Sequence, residues 1–289
     1  MNSPITFCIS SFNNLNYLKL AVKSVRENSH FKDAPFIIHS ENSTDGTNEW
    51  LIGEGKDKYN IQGYIETNDI PRGIGGGMNF CANKVTTEYI MFLHADFYVG
   101  SNWDSEALDV FNKNPGKPLW VSSYRVQPDT FHEPSRPGTL IVPNEAFGEY
   151  HHNFDEVTFN EFAKEFVESN NIQIRKGEGV SGLIRKVDWD AVGGNDSLFA
   201  PAYYEDFDLF LRMQLAGYEF VLTTKSVVYH FGSRASRFPD DDLTKRPQHL
   251  ENHERNGFQK WMKKWGQPPQ FDSIGFIMPI HGTNNPIKV

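Results

Sequence analysis

The chain reads as an α/β protein, a mostly parallel sheet covered by helices. Strand-like and helix-like runs alternate through the first hundred of its 289 residues. The strongest strand signal is the apolar run EYIMFLHAD at 88–96. Acidic residues stand where strands end and helices begin, the place at which open α/β sheets bind ligands.

The elements follow in order. Residues 5–10 (ITFCIS) form a short apolar strand, and 16–29 place Leu18, Ala21, Val22 and Val25 at helical spacing. Residues 34–40 are a second strand. A helix over 46–53 follows, with Ser43, Thr44 and Asp45 as turn and capping residues. A weak third strand at 60–66, a helix over 76–86 and the strand at 88–96 complete the first half. Beyond it come a helix at 102–113, a strand at 118–126, a loop-rich stretch at 127–152, a helix at 155–169 and a strand-like 179–187. The chain continues with a helix at 206–216 closed by Gly217, short strands at 220–224 and 226–231, and an amphipathic helix at 250–265.

Composition narrows the class. Hydrophobic residues make up 38% and charged residues 22%, which is globular usage. A net charge of −9 disfavours a non-specific nucleic-acid binder. Two cysteines, Cys8 and Cys81, exclude a disulfide-dense scaffold and a four-cysteine zinc site and read as structural thiols. No run approaches the ~20 apolar residues of a membrane span, and MNSPITFCISSF does not read as a signal peptide. The expectation is a cytoplasmic protein, with contact at a membrane surface left open.

The chemistry-bearing candidates are acidic. Glu41 follows the second strand, Asp96 ends the fourth, and Glu205 and Asp206 open the helix at 206–216 after PAYY. His230 closes a late strand. An Asp and a His at strand ends can share one ion, and magnesium or manganese suits such oxygen-rich ligands. Each has a plainer reading as a turn cap, a buried histidine or a charge at a helix start. Several motifs fail. RGIGGGMN at 72–79 has Met78 in the last fingerprint position and does not follow the first strand. HLENH at 249–253 has Leu250 where a metalloprotease needs Glu, and there is no phosphate-binding P-loop and no G-x-S-x-G elbow. His151 and His152 read as a solvated pair.

In sequence order, five segments resemble the inverting glycosyltransferases of family 2, which have the GT-A fold. They are TFCISSFNNLNYLKLAVKSV, HSENSTDGTNEW, NDIPRGIGGGMNFCANKVTTEYIMFLHAD, EGVSGLIRKVDWDAVGGNDSLFAPAYYEDFDLFLRMQLAGYEF and VVYHFGSRAS, together spanning residues 4–235. The resemblance implies a Rossmann-like sheet with a donor half at 1–100, a smaller acceptor half at 101–235, and a C-terminal extension at 236–289. It implies that Ser10, Phe12 and Asn13 line a nucleotide pocket. Glu41 would receive the base or ribose, and Asp69 and the loop from Arg72 and Gly73 to Gly77 would lie beside base and diphosphate. His94 and Ala95 would also belong to this pocket. Asp96 and His230 would hold Mn2+ or Mg2+, Asp206 would be the general base, and Glu205 would fix geometry. One departure is that His94 replaces the first carboxylate of the family's Asp-x-Asp element.

The implied substrates are a nucleoside-diphosphate sugar, UDP-linked before GDP-linked, and a hydroxyl acceptor on a glycan or lipid-linked saccharide. A hydroxymethylated DNA base, a protein acceptor and a non-catalytic binding relative remain alternatives. Trp103, Tyr203 and Tyr204 are candidate stacking surfaces for the acceptor, with His132 and Arg136 in the loop above. Arg234 and Arg237 are candidates for the diphosphate or plain surface charges. The helix at 250–265, with Phe258, Trp261, Met262 and Trp265 on one face, packs on the catalytic domain, forms a dimer face or touches a membrane interface.

Overall fold

The structure, a computed structural model, describes residues 3–130, 132, 134, 135, 137–175, 181–232, 234, 248–273 and 275–280. Strand β1 (Ile5–Ser11) leads to helix α1 (Leu15–Asn28), followed by β2 (Phe36–Glu41), α2 (Thr47–Ile52), α3 (Glu54–Tyr59), β3 (Gln62–Glu66), α4 (Gly73–Lys84) and β4 (Tyr89–Leu93). The apolar runs form strands buried on both faces, and alternate side chains serve different cores. Phe7, Ile9, Phe36, Ile38, Met91 and Leu93 join Leu18, Val22 and Val25 of α1 on one face. Cys8, Ile37, Ile90 and Phe92 join Cys81 and Ala82 of α4 on the other. β1 pairs in parallel with both β2 and β4, and β2 with β3. The strand order therefore reverses at β1, and a crevice opens at the carboxyl ends of these strands.

The second half comprises β5 (Phe97–Val99), α5 (Trp103–Asn112), β6 (Leu119–Pro128), β7 (Thr139–Val142), α6 (Asn144–Phe147), α7 (Glu156–Ser169), β8 (Gln173–Arg175), β9 (Gly182–Arg185), α8 (Lys186–Val192), a 3-10 turn (Ser197–Phe199), α9 (Glu205–Leu215), β10 (Glu219–His230) and α10 (Gln248–Trp265). The sheet runs β3-β2-β1-β4-β9-β6-β10-β5, with β7 beside β6 and β8 beside β10. β9 enters antiparallel between β4 and β6, so the sheet is mixed, with parallel pairing among β1 to β4.

Several boundaries differ from the sequence expectation. The expected helix at 46–53 is α2, and after a break at Gly53 a second short helix, α3, follows it. The two late strands are one, β10, with a register irregularity between Thr223 and Val227. Of the expected strand at 179–187, residues 182–185 are extended and Lys186 begins α8, whose C-cap Gly193 is left-handed at φ 79°. The stretch 127–152 holds β7 and α6. His151 is not merely solvated: its ring lies 5.0 Å from Tyr17, while His152 stacks on Tyr150 at 5.3 Å.

The last helix packs on the catalytic fold. Trp261 is 0% and Trp265 6% exposed, in one core with Phe210, Met213, Phe276 and Ile277. Trp261 and Trp265 are covered from within the chain, which is the packing reading, while Phe258 of the same face stays 39% exposed. No helix of the described residues is long and apolar enough to cross a membrane.

Candidate active site

The crevice is a cleft of about 320 Å³ at the carboxyl ends of β1, β2 and β4. Ser10, Ser11 and Phe12 come from β1 and its turn, Glu41 and Asn42 from β2, and His94 and Ala95 from the end of β4. Pro71, Gly73 and Ile74 line it from the start of α4, Pro201 and Ala202 from the segment before α9, and His253 from α10. Phe12 is 51% exposed, an aromatic ring held at the rim of a cavity. Asn13, left-handed at φ 46°, lies just outside the lining. Its Oδ1 accepts the Thr44 N–H at 2.7 Å and its own N–H donates to Ser43 Oγ at 3.1 Å, tying the β1 turn to the β2 turn. Asp45 completes that tie by accepting the N–H of Leu15 at 2.8 Å and of Thr47 at 3.1 Å.

Glu41 does something the sequence reading did not foresee. Its carboxylate accepts the N–H of Arg72 at 2.8 Å, that of Gly73 at 2.9 Å and the Asn68 amide at 2.7 Å. It therefore caps the start of α4, a negative charge on the positive end of a helix. Gly73 is left-handed at φ +68°, and a Cβ there would lie 1.5 Å from the Pro201 carbonyl oxygen, so only glycine fits. The Arg72 side chain turns away to pair with Glu66 at 3.1 Å, and Asp69 is exposed on the loop; neither lines the cleft.

Beside the cleft, β5 and β10 bring Asp96 and His230 together. The antiparallel register pairs Phe97 with His230, and the Phe231 N–H donates to the Asp96 carbonyl at 3.1 Å. His230 Nε2 then stands 3.6 Å from Asp96 Oδ2. The amide oxygen of Gln127, 3.2 Å from His230 Nδ1, can accept a hydrogen bond from that nitrogen, the arrangement that would leave Nε2 to a metal. One oxygen and one imidazole nitrogen at this separation fit a divalent ion bonded to each at ~2.1 Å. Among the described residues no group of three or more His, Cys, Asp or Glu side chains is arranged to hold a metal ion by itself.

His94 lies two residues before Asp96, its ring 5.5 Å from that of Phe97. Burial lowers its pKa to about 4, opposed by the Asp96 charge and reinforced by His230 and Arg125. It presents a neutral imidazole to the cleft, and its Nε2 meets no protein hydrogen-bond partner.

Glu205 and Asp206 open α9 after two strained residues, Tyr203 at φ 76° and Tyr204 at φ 72°. Burial first, then the neighbouring Asp206 charge, raises the Glu205 pKa to about 8. Its Oε2 meets no protein donor, and its Cγ would lie 3.3 Å from a Cβ placed on Gly75.

The acceptor-side candidates separate. Trp103 is corrected: it is 1% exposed, its ring lies 5.8 Å from Phe7 and its indole N–H donates to Ser29 at 2.9 Å, so it offers no face to a ligand. Tyr204 is half-buried under α10, 6.1 Å from Phe258 and 6.0 Å from Trp261. Tyr203 is half-buried beside it. His132 is exposed, 3.5 Å from Asp129, in a separate cavity of about 370 Å³. Arg136 and Arg237 lie outside the described residues. Arg234 is buried, its guanidinium 4.6 Å from the Tyr150 ring centroid.

The profile of glycosyl transferase family 2 matches residues 6–177. The chain belongs to that family. The fold agrees with solved GT-A structures. S. aureus TarS 1–349, in complex with UDP, superposes with a TM-score of 0.53 and 12% identity over 92% of this chain and 72% of its own. GalNAc-T7, with UDP, GalNAc and Mn2+, gives 0.58 and 13% identity, and this chain spans 56% of it. A search of curated proteins finds no sequence match. Ser11, Pro201, Ala202 and His253 of this family 2 chain were not among the residues assigned to the site from its sequence, whereas Ile74 lies in the loop 72–77 that was. Ser11 continues the β1 strand end, but Pro201, Ala202 and His253 reach the cleft only through contacts distant in sequence.

Proposed function

We propose that the protein transfers a sugar, with inversion, from a nucleoside-diphosphate sugar to a hydroxyl acceptor, with a UDP-linked donor preferred to a GDP-linked one. The acceptor class is a glycan or lipid-linked saccharide. The observation that carries the reading is the meeting of Asp96 with His230 at 3.6 Å, directly after the cleft residues His94 and Ala95. The UDP held by TarS and by GalNAc-T7 supports the choice of nucleotide.

Phe12 stacks on the base, and Ser10 and the neutral His94 hydrogen-bond the ribose or sugar hydroxyls. Asp96 and His230 would hold a divalent cation, which supplies charge neutralisation on the departing diphosphate. Asp206 accepts the proton of the attacking hydroxyl as the new bond to C1 forms on the face opposite the leaving diphosphate, so an α-linked donor gives a β-linked product. Glu205, protonated at neutral pH, adds no second charge beside Asp206 and leaves that carboxylate as the base.

A panel of sugar nucleotides with Mn2+, scored for transfer and slow hydrolysis, tests the reading. Hydrolysis of at least one donor is expected. Asp206→Asn should keep donor binding and lose transfer. Retained transfer in that variant overturns the base assignment, and nucleotide binding without turnover favours a non-catalytic relative.

A further inference from the structure

We propose that His253, on the C-terminal helix, contacts the bound sugar nucleotide and sets how tightly the donor is held. The inference deepens the glycosyltransferase reading and rests on it. It concerns a residue beyond the matched region 6–177.

The register of α10 dictates the placement. Residues four apart share one helix face, and His253, Gly257, Trp261 and Trp265 follow that spacing. The two tryptophans bury in the core. Gly257 lies against the strained tyrosine pair, where a Cβ would come within 2.8 Å of the Tyr204 ring and 3.0 Å of the Tyr203 carbonyl oxygen. One turn further on, the same stripe reaches the cleft, and His253 is the residue it delivers. The seat is anchored at several points. Lys260 donates to the Ala200 carbonyl at 2.7 Å, and Lys264 pairs with Asp196 at 2.7 Å. The segment that supplies Pro201 and Ala202 is thus fastened to the helix that supplies His253.

The polar groups of the cleft show why a histidine matters here. The Glu41 carboxylate is occupied by three donors from the loop before α4. The Asn42 amide bonds both the N–H and the carbonyl of Asn68, at 2.9 Å each. Pro201 and Ala202 bring apolar side chains. Beside Pro201 and Ala202, His253 is the polar side chain that the C-terminal side of the cleft contributes among the described lining residues, and an imidazole can hydrogen-bond a hydroxyl or phosphate oxygen.

The test uses the full chain and the sugar nucleotide that the wild type hydrolyses fastest with Mn2+. His253→Ala should raise the donor KM about tenfold with kcat within about a factor of two, the signature of lost donor binding. His253→Gln, which keeps a hydrogen-bonding side chain, should recover part of that loss, whereas His253→Leu should not. Melting temperatures read in parallel separate the contact from a packing role, since packing alone would lower stability and leave KM in place. An unchanged KM in the Ala and Leu variants overturns the proposal and leaves the transferase reading standing. A wild type that neither binds nor hydrolyses any sugar nucleotide overturns the transferase reading, and His253 falls with it.

Discussion

Two aspartates, Asp96 and Asp208, are equally buried, at 1% and 0% exposure, and do different work. Asp208, in the first turn of α9, is saturated by protein donors. Arg212 Nε lies 2.8 Å from one oxygen, and Lys264 Nζ at 2.6 Å and the Trp265 indole at 3.0 Å share the other. Arg212 in turn donates to the carbonyls of Val192 and Gly194, both at 2.6 Å. The cluster staples α9 to α8 and α10. Asp96 instead faces an imidazole at 3.6 Å, beyond hydrogen-bond range and within the span of two ligands to one ion. Residue type and burial do not tell the two apart. The partners and their distances do.

The comparison breaks first at Asp96. Asp96→Ala should lower transfer by ~10³-fold or more while leaving the melting temperature close to that of the wild type. A variant that keeps its activity would make Asp96 one more structural carboxylate. Asp208→Ala should do the reverse, costing ~3–5 kcal/mol of folding stability because Arg212 and Lys264 lose their counter-charge inside the protein. Chemical denaturation reads that loss. A variant that is stable but inactive would move Asp208 into the site.

Smaller effects sharpen the picture. Phe12→Ala should weaken donor binding by ~10-fold, the scale of one lost base-stacking contact, and barely move stability, since the ring is half exposed. Glu205 gives a pH signature. Its folded pKa, about 8, is above the ordinary carboxylate value. The folded state therefore binds the proton more tightly than the unfolded state. The stability this contributes is full below the unfolded pKa and is lost as pH rises through the folded one. Glu205→Gln, which cannot ionise, should gain stability relative to wild type between pH 5 and pH 8 on the scale of that ~4.5-to-8 window. Parallel denaturation curves at the two pH values check it, and an equal difference at both would contradict the buried-acid assignment.

The first half of the fold was legible in the sequence because its physics is local. Phe7 and Cys8 alternate between two cores, a period of two visible in an apolar run, and a glutamate or aspartate at the strand end follows directly. β5 was not legible: FYV is three residues long and is a strand because β10 pairs with it. That pairing is also what makes Asp96 and His230 neighbours; their places at strand ends allowed a shared ion, and the family resemblance is what implied their meeting. Aromatic residues misled for a related reason. Phe12 and Trp103 are both aromatics near element ends, and only tertiary packing decides that one is a rim and the other a core. The four-residue stripe from His253 to Trp265 was present in the sequence, but the cleft at its upper end was not.

The central claim is that Asp96 and His230 jointly serve one divalent ion beside a nucleotide cleft. Titrating the protein with Mn2+ in the presence of UDP, with the free ion read by electron paramagnetic resonance, tests it most directly. Stoichiometric loss of the free-ion signal is expected for the wild type, with binding greatly weakened in both Asp96→Ala and His230→Ala. Undiminished manganese binding in both variants, or none in the wild type, would contradict the account.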